Sequence, residues 1–169
     1  MAKSTLKNLK QLYVHELRDI YSAEKQITQA LPKLAKAACD ENLKDAFESH
    51  LAETEEQIGR LEEIFAMLEK PARGKKCAGM QGLIEEGKEV MEEEMPEAVT
   101  DAALIAAAQK CEHYEIAAYG TMATFAKILG MKDALALLKL TLGEEKAADE
   151  KLSKIAQTIN YEAQEEVEA

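Results

Sequence analysis

The sequence predicts an all-α protein: four long amphipathic helices packed as a bundle, with a long connection between the second and the third. Three observations carry that expectation. Apolar residues recur every three or four positions through four stretches of roughly thirty residues each. The composition is that of a helical protein, rich in alanine, leucine, glutamate and lysine, with no tryptophan and only 3 prolines and 8 glycines. Near the middle of each apolar stripe, finally, stands a carboxylate where an aliphatic side chain belongs: Glu24, Glu53, Glu112 and Glu145.

The first helix is expected over about residues 5–38. Its stripe reads Leu6, Leu9, Tyr13, Leu17, Ile20, Glu24, Ile27, Leu31, Leu34, Ala38, with Ser4 or Thr5 as N-cap. Pro32 removes one backbone donor and is expected to kink the helix around Thr28–Pro32. A turn at Asp40-Glu41-Asn42 leads to the second helix, about 43–69. It carries an apolar stripe through Leu43, Phe47, Leu51 and Ile58, and a second one, polar at its centre, through Ala46, His50, Glu53, Gln57 and Leu61. Residues 70–100 lose the period: Pro71 and Gly74 end the second helix, Gly79, Gly82 and Gly87 loosen a short helix around Leu83–Met91, and Met95-Pro96 breaks the chain again. This reads as a crossover that carries the chain back along the bundle. The third helix, about 101–129, shows Ile105, Ala108, Glu112, Glu115, Tyr119, Met122 and Ala126, with Gly130 as its stop. The fourth, about 132–160, shows Leu135, Leu138, Leu142, Glu145, Asp149, Leu152 and Ile155, before an acidic tail from Tyr161 expected to fray. The whole chain, 1–169, is expected to be one domain.

A buried carboxylate is costly unless something positive or hydrogen-bonding meets it. Four of them, one per helix, suggest one shared answer: a pair of metal ions held in the bundle core. The depths agree. Glu24 and Glu53 stand at similar distances from the Asp40 turn, as Glu115 and Glu145 do from Gly130. Glu112 and Asp149 pair one turn further out. Carboxylate-rich ligation suits iron or manganese, which accept oxygen donors and carboxylate bridges, whereas zinc favours more histidine or cysteine. The expected ligands are Glu24, His50, Glu53, Glu112, Glu115, Glu145 and Asp149, with Glu24 and Glu145 as outer ligands and Glu53 and Glu115 as bridges. Tyr21 and Tyr119, one turn from Glu24 and Glu115, are expected to hydrogen-bond these carboxylates. His113, beside Glu112 but turned about 100° from it, carries less weight.

The net charge of -11 argues against nucleic acid and anionic membranes as partners. The longest apolar run, near 102–108, is too short to span a bilayer, and residues 1–10 show no signal-peptide pattern. Cys39, Cys77 and Cys111 are widely spaced without a CxxC, which reads as reduced thiols in a cytoplasmic protein.

Several segments resemble the bacterial ferritin-like stress proteins of the YciF type. They are Tyr21-Ser-Ala-Glu-Lys-Gln26, His50-Leu-Ala-Glu-Thr54, Gly82-Leu-Ile-Glu-Glu86, residues 101–110, Glu112-His-Tyr-Glu-Ile-Ala-Ala-Tyr-Gly120 and Glu144-Glu-Lys146 with Asp149. The resemblance covers roughly residues 5–160 and implies a rubrerythrin-like four-helix bundle with extra short helices, a homodimer, expressed under stress. Against the wider ferritin and rubrerythrin pattern, Glu24 and the Glu112-x-x-Glu115 pair match. The Glu-x-x-His expected on the second and fourth helices is absent: the chain has Glu53-Thr-Glu-Glu56, with His50 before the glutamate, and Glu145-Lys-Ala-Ala148. No rubredoxin-like cysteine module is present. The expectation is a two-iron or two-manganese centre for iron handling or for oxygen or peroxide reduction. The alternative is a metal-free structural or interaction protein on the same scaffold.

Overall fold

A computed structural model describes residues 6–165, and all regular structure among them is helical. Five helices follow in order: α1 (Leu9–Ala37), α2 (Glu41–Met67), α3 (Ala78–Glu92), α4 (Glu97–Ile128) and α5 (Lys132–Glu165). None of them is long and apolar enough to cross a membrane.

Capping chemistry sets the boundaries. The suggested caps Ser4 and Thr5 lie outside the described residues. The first helix opens instead at Asn8, whose Oδ1 accepts the Gln11 amide at 2.9 Å, satisfying one of the donors a helix start leaves free. Asp40 does the same for α2 through the Leu43 amide, which starts that helix two residues before the expected point. Pro32 lies on the exposed side of α1, and the helix runs through it unbroken. α3 is longer than the glycines suggested. The Cys77 thiol caps it through the Met80 amide, and Gly87 turns inward, where a Cβ would stand 3.8 Å from that of Ala107. That is ordinary contact distance, and the helix runs through the glycine unbroken. α5 continues beyond Tyr161 to Glu165.

Asp101 fixes the topology. Expected as the start of the third helix, it lies one turn inside α4, 3% exposed, and accepts the backbone amides of Cys39 and Asp40, both at 2.8 Å. The first turns of α4 are thereby tied to the α1–α2 turn. α4 starts at the end of the bundle where α2 starts and runs parallel to it; residues 68–96, with α3, make the return. Around the bundle the order is α1, α2, α5, α4, and α3 lies outside against α1 and α4. With α1 up and α2 down, α4 therefore runs down and α5 up: two antiparallel hairpins joined by a long crossover, as expected of a ferritin-like bundle. α4 touches α1, α3 and α5, which accounts for its alanine-rich, apolar circumference. The core is filled by Tyr13, Leu17, Ile20, Leu43, Phe65, Leu104 and Met122, all under 2% exposed.

The crossover is held by polar contacts. The Lys75 amide donates to the Arg18 carbonyl, the Cys77 amide to the Ser22 hydroxyl, and the Tyr114 hydroxyl to Asp19 at 2.7 Å. Replacing Asp101 with alanine is expected to cost about 3 kcal/mol, since two charge-assisted bonds go and two part-buried amides lose their acceptor. Thermal melts check this, with Asp101→Asn losing less because it keeps one carbonyl acceptor.

Candidate metal centre

The middle of the bundle holds Glu24 on α1, His50 on α2, Glu112 and Glu115 on α4 and Glu145 on α5, each at most 5% exposed. One donor atom from each of His50, Glu112, Glu115 and Glu145 can be chosen so that all lie within 4.8 Å of one another. His50 Nε2 stands 3.3 Å from Glu112 and 3.6 Å from Glu145. Its Nδ1 is 3.3 Å from Glu53 Oε2. With the ring proton on Nδ1, the imidazole donates to Glu53 and presents the Nε2 lone pair to the cluster, the orientation a metal-binding histidine adopts. Tyr119 donates a short hydrogen bond to Glu24 Oε1.

The donors are largely unsatisfied. Glu24 Oε2, His50 Nε2, Glu112 Oε2 and both carboxylate oxygens of Glu115 and of Glu145 are buried with no hydrogen-bond partner. Among the described residues, no lysine or arginine forms an ion pair with any of these four glutamates. The electrostatics follow. Burial, reinforced by the charge of Glu145, pushes the Glu24 carboxyl up to about 8 despite the Tyr119 bond. Burial, then Glu145, pushes Glu112 well above the carboxylate range. Burial, then Glu24, does the same to Glu115. Glu145 is raised by burial, with His50 opposing. Without a cation the cluster therefore retains protons near neutral pH.

Three expected members stand apart. The Glu53 side chain is 46% exposed and lies at the rim, where its bond to His50 holds the carboxyl below its usual value. On α2 the buried face runs His50, Thr54, Gln57, Leu61, and Glu53 falls about 60° to one side of that line. Asp149 is not among the four converging residues: it accepts from Gln109 Nε2 at 3.0 Å and pairs with the exposed His113 at 3.2 Å. Tyr21, expected near the carboxylates, turns to α2 and donates to Glu62 at 2.8 Å. Tyr119 does reach Glu24 as expected.

Two features had no clear sequence signal. Arg60 grips Glu144, next to Glu145, with contacts of 2.6 and 2.8 Å, and Gln57 donates to the same carboxylate. Together they tie α2 to α5 beside the cluster. Spacing placed Gln57 on the central stripe, but charge pairing between helices that are distant in sequence has no local period to reveal it. Cavities also open on two sides of Glu112. A small one of about 100 Å³ lies between α2 and α5 with His50, Glu53 and Lys151 in its wall. A larger one of about 210 Å³ lies between α1, α3 and α4.

Residues 8–165 match the family described as Domain of unknown function (DUF892). Protein YciF of Escherichia coli (strain K12) is 50% identical over 161 residues, 94% of this chain and 97% of that protein. The crystal structure of that E. coli stress protein superposes with a TM-score of 0.89 over 92% of this chain and 99% of its own. YcfI from Rhodopseudomonas palustris superposes at 0.87 with 43% identity, over 90% of this chain and 98% of that one. A protein from Xanthomonas campestris pv. campestris shares the fold at 18% identity, with a TM-score of 0.76 over 96% of this chain and 100% of that one. With a family match spanning nearly all of its helices and a relative identical at half of the aligned positions, the chain belongs to the DUF892 family of YciF-like proteins.

Proposed function

We propose that this protein carries a pair of iron or manganese ions in its bundle core and serves in stress defence, by iron handling or by reducing oxygen or peroxide. One observation carries the reading: buried oxygens of Glu112, Glu115 and Glu145 converge with a buried imidazole nitrogen of His50, and these residues, with the nearby Glu24, leave buried donor atoms without a partner. A protein core rarely leaves so many polar atoms unsatisfied in one place. The dimensions fit one ion directly, and a second would draw on the remaining oxygens of the cluster. Two donors on opposite sides of a first-row ion stand about 4.2 Å apart, twice a ligand distance of about 2.1 Å, and the 4.8 Å spread needs only a small contraction. The charge fits too, because two divalent ions balance the four carboxylates of Glu24, Glu112, Glu115 and Glu145. Oxygen-rich ligation with one imidazole favours iron or manganese over zinc.

Such ions would supply electrons to an oxidant bound beside them. The chain's own part is positional. Tyr119 fixes the rotamer of Glu24, Glu53 fixes the tautomer of His50, and Arg60 with Gln57 holds the turn of α5 that presents Glu145. Leucines and tyrosines above and below keep bulk water from the donors. The expression of E. coli YciF as a stress protein is the support for the physiological setting.

The test is anaerobic loading of chelated protein with Fe(II) or Mn(II). Elemental analysis is expected to approach two ions per chain, and the melting temperature to rise by roughly 5–11 °C at a hundredfold excess over Kd. Fewer than one ion per chain with no thermal shift would instead favour the metal-free scaffold.

A further inference from the structure

The cavity between α1, α3 and α4 is chemically two-ended. Its walls are apolar, chiefly Ile27, Leu31, Ile84, Ala108 and the thiol of Cys111, which burial pushes up to about 12 and so keeps neutral. Its floor is Glu112, a member of the carboxylate cluster with one oxygen unpartnered. Its rim is polar and carries Lys33 and Lys88 against a single acid, Glu85, a local positive excess in a chain of net charge -11. Lys88 is paired with Glu85 at 3.2 Å, whereas Lys33, exposed on α1, makes no ion pair among the described residues. α3, the helix of the crossover, forms the outer wall. The bundle alone would leave this side of the cluster open.

We propose that this cavity binds a small amphipathic carboxylate, its aliphatic body against α1, α3 and α4 and its anionic head at Lys33 and Lys88. Volume sets the size. An apolar cavity of about 150 Å³ takes up benzene, so about 210 Å³ suits an aliphatic body of roughly eight carbons. Electrostatics set the orientation. A carboxylate at the buried inner end would lose its water with no cation to meet it, so that end takes the aliphatic terminus, while the head stays in water beside two ammonium groups. A cationic head would be repelled by those same ammonium groups. The apolar terminus then lies next to the cluster, and the smaller cavity on the other side, past Glu53 and His50, remains free for ions and small oxidants. That the bound molecule is a substrate rests on the metal reading above; that it binds does not.

Octanoate titrated into the chelated full-length protein separates the two. Saturable one-to-one binding is expected by calorimetry, with amide shifts concentrated at Ile27, Leu31, Ile84 and Cys111. Ala30→Phe, which fills the cavity from α1, is expected to weaken octanoate at least tenfold while leaving metal stoichiometry unchanged. Lys33→Glu, a surface change, is expected to weaken octanoate about five- to tenfold but octanol less than twofold. Absence of saturable octanoate binding to the wild type at millimolar concentration would overturn the proposal. So would wild-type affinity in the folded Ala30→Phe and Lys33→Glu variants, and so would shifts that map elsewhere. Octanoate binding by a protein that takes up no metal would uphold the pocket and end the metal reading instead.

Discussion

Chelated protein carrying Glu112→Gln and Glu115→Gln together is expected to melt above the chelated wild type at pH 7, by roughly 3–12 °C, and to lose its metal binding. The two carboxyls lie one helical turn apart on α4, 3% and 0% exposed. Among the described residues neither has a lysine or arginine counter-ion, and three of their four oxygens have no hydrogen-bond partner. The folded metal-free state must therefore hold protons there against solution, or keep like charges together in a region of low dielectric. Glutamine keeps the shape, removes the charge and brings amide donors to the unpartnered oxygens of Glu24 and Glu145. Substituting poorly compensated buried ionisable groups commonly stabilises by about 1–4 kcal/mol, which for a chain of this size is the shift given. The result inverts if these glutamates are structural partners of a cation: removing them would then cost about 3–5 kcal/mol. A large fall in the melting temperature of the double variant, joined to no metal-dependent shift in the wild type, would end the dimetal reading.

The same residues show why so much of the centre was legible in the sequence. An apolar stripe with a period of three and four makes a glutamate at its centre visible, and Glu24, Glu112, Glu115 and Glu145 were read that way. His50 was found because it stands on the polar stripe of α2. The period does not resolve where on a face a residue points to better than half a helical step. Glu53 falls about 60° off the buried line of α2 and reaches solvent. Asp149 leans toward α4, where Gln109 and His113 engage it. Tyr21 leans the other way, toward Glu62. Which neighbour lies on each side of a helix is decided by the crossover, and that information is not local. The glycines of residues 70–100 misled for a related reason. Gly87 has the signature of a weak helix in isolation, but it is buried against α4 at ordinary contact distance, and the helix runs through it. At Gly79 a Cβ would meet the Tyr114 ring at 2.7 Å, so there the start of α3 does depend on glycine. Asp101 marks the expected start of the third helix, but its carboxylate serves a turn some sixty residues away in sequence.

Between pH 5 and pH 8 the chelated protein is expected to lose stability as pH rises, and the Mn(II)-loaded protein to gain it. Unfolded glutamates release their protons near pH 4.3. In the folded, metal-free state Glu24 holds its proton up to about 8, and burial holds those of Glu112 and Glu115 well above the usual range. A group whose folded pKa is raised contributes its full stability below the unfolded pKa and loses it as pH climbs toward the folded one. The folded state binds more protons throughout the window, so each proton retained costs about 1.4 kcal/mol of stability per pH unit. Groups shifted the other way, Glu53 and Asp19, act below pH 5 and leave the window clear. The raised thiols and tyrosines act above it. A divalent cation reverses the sign, because it binds the ionised carboxylates and displaces those protons, and its stabilisation must grow with pH. Melting curves taken at half-unit steps with chelator and with excess Mn(II) should therefore diverge as pH rises. Parallel curves would mean that the cation does not displace the buried protons, and the carboxylates of Glu24, Glu112 and Glu115 would have to be satisfied in some other way.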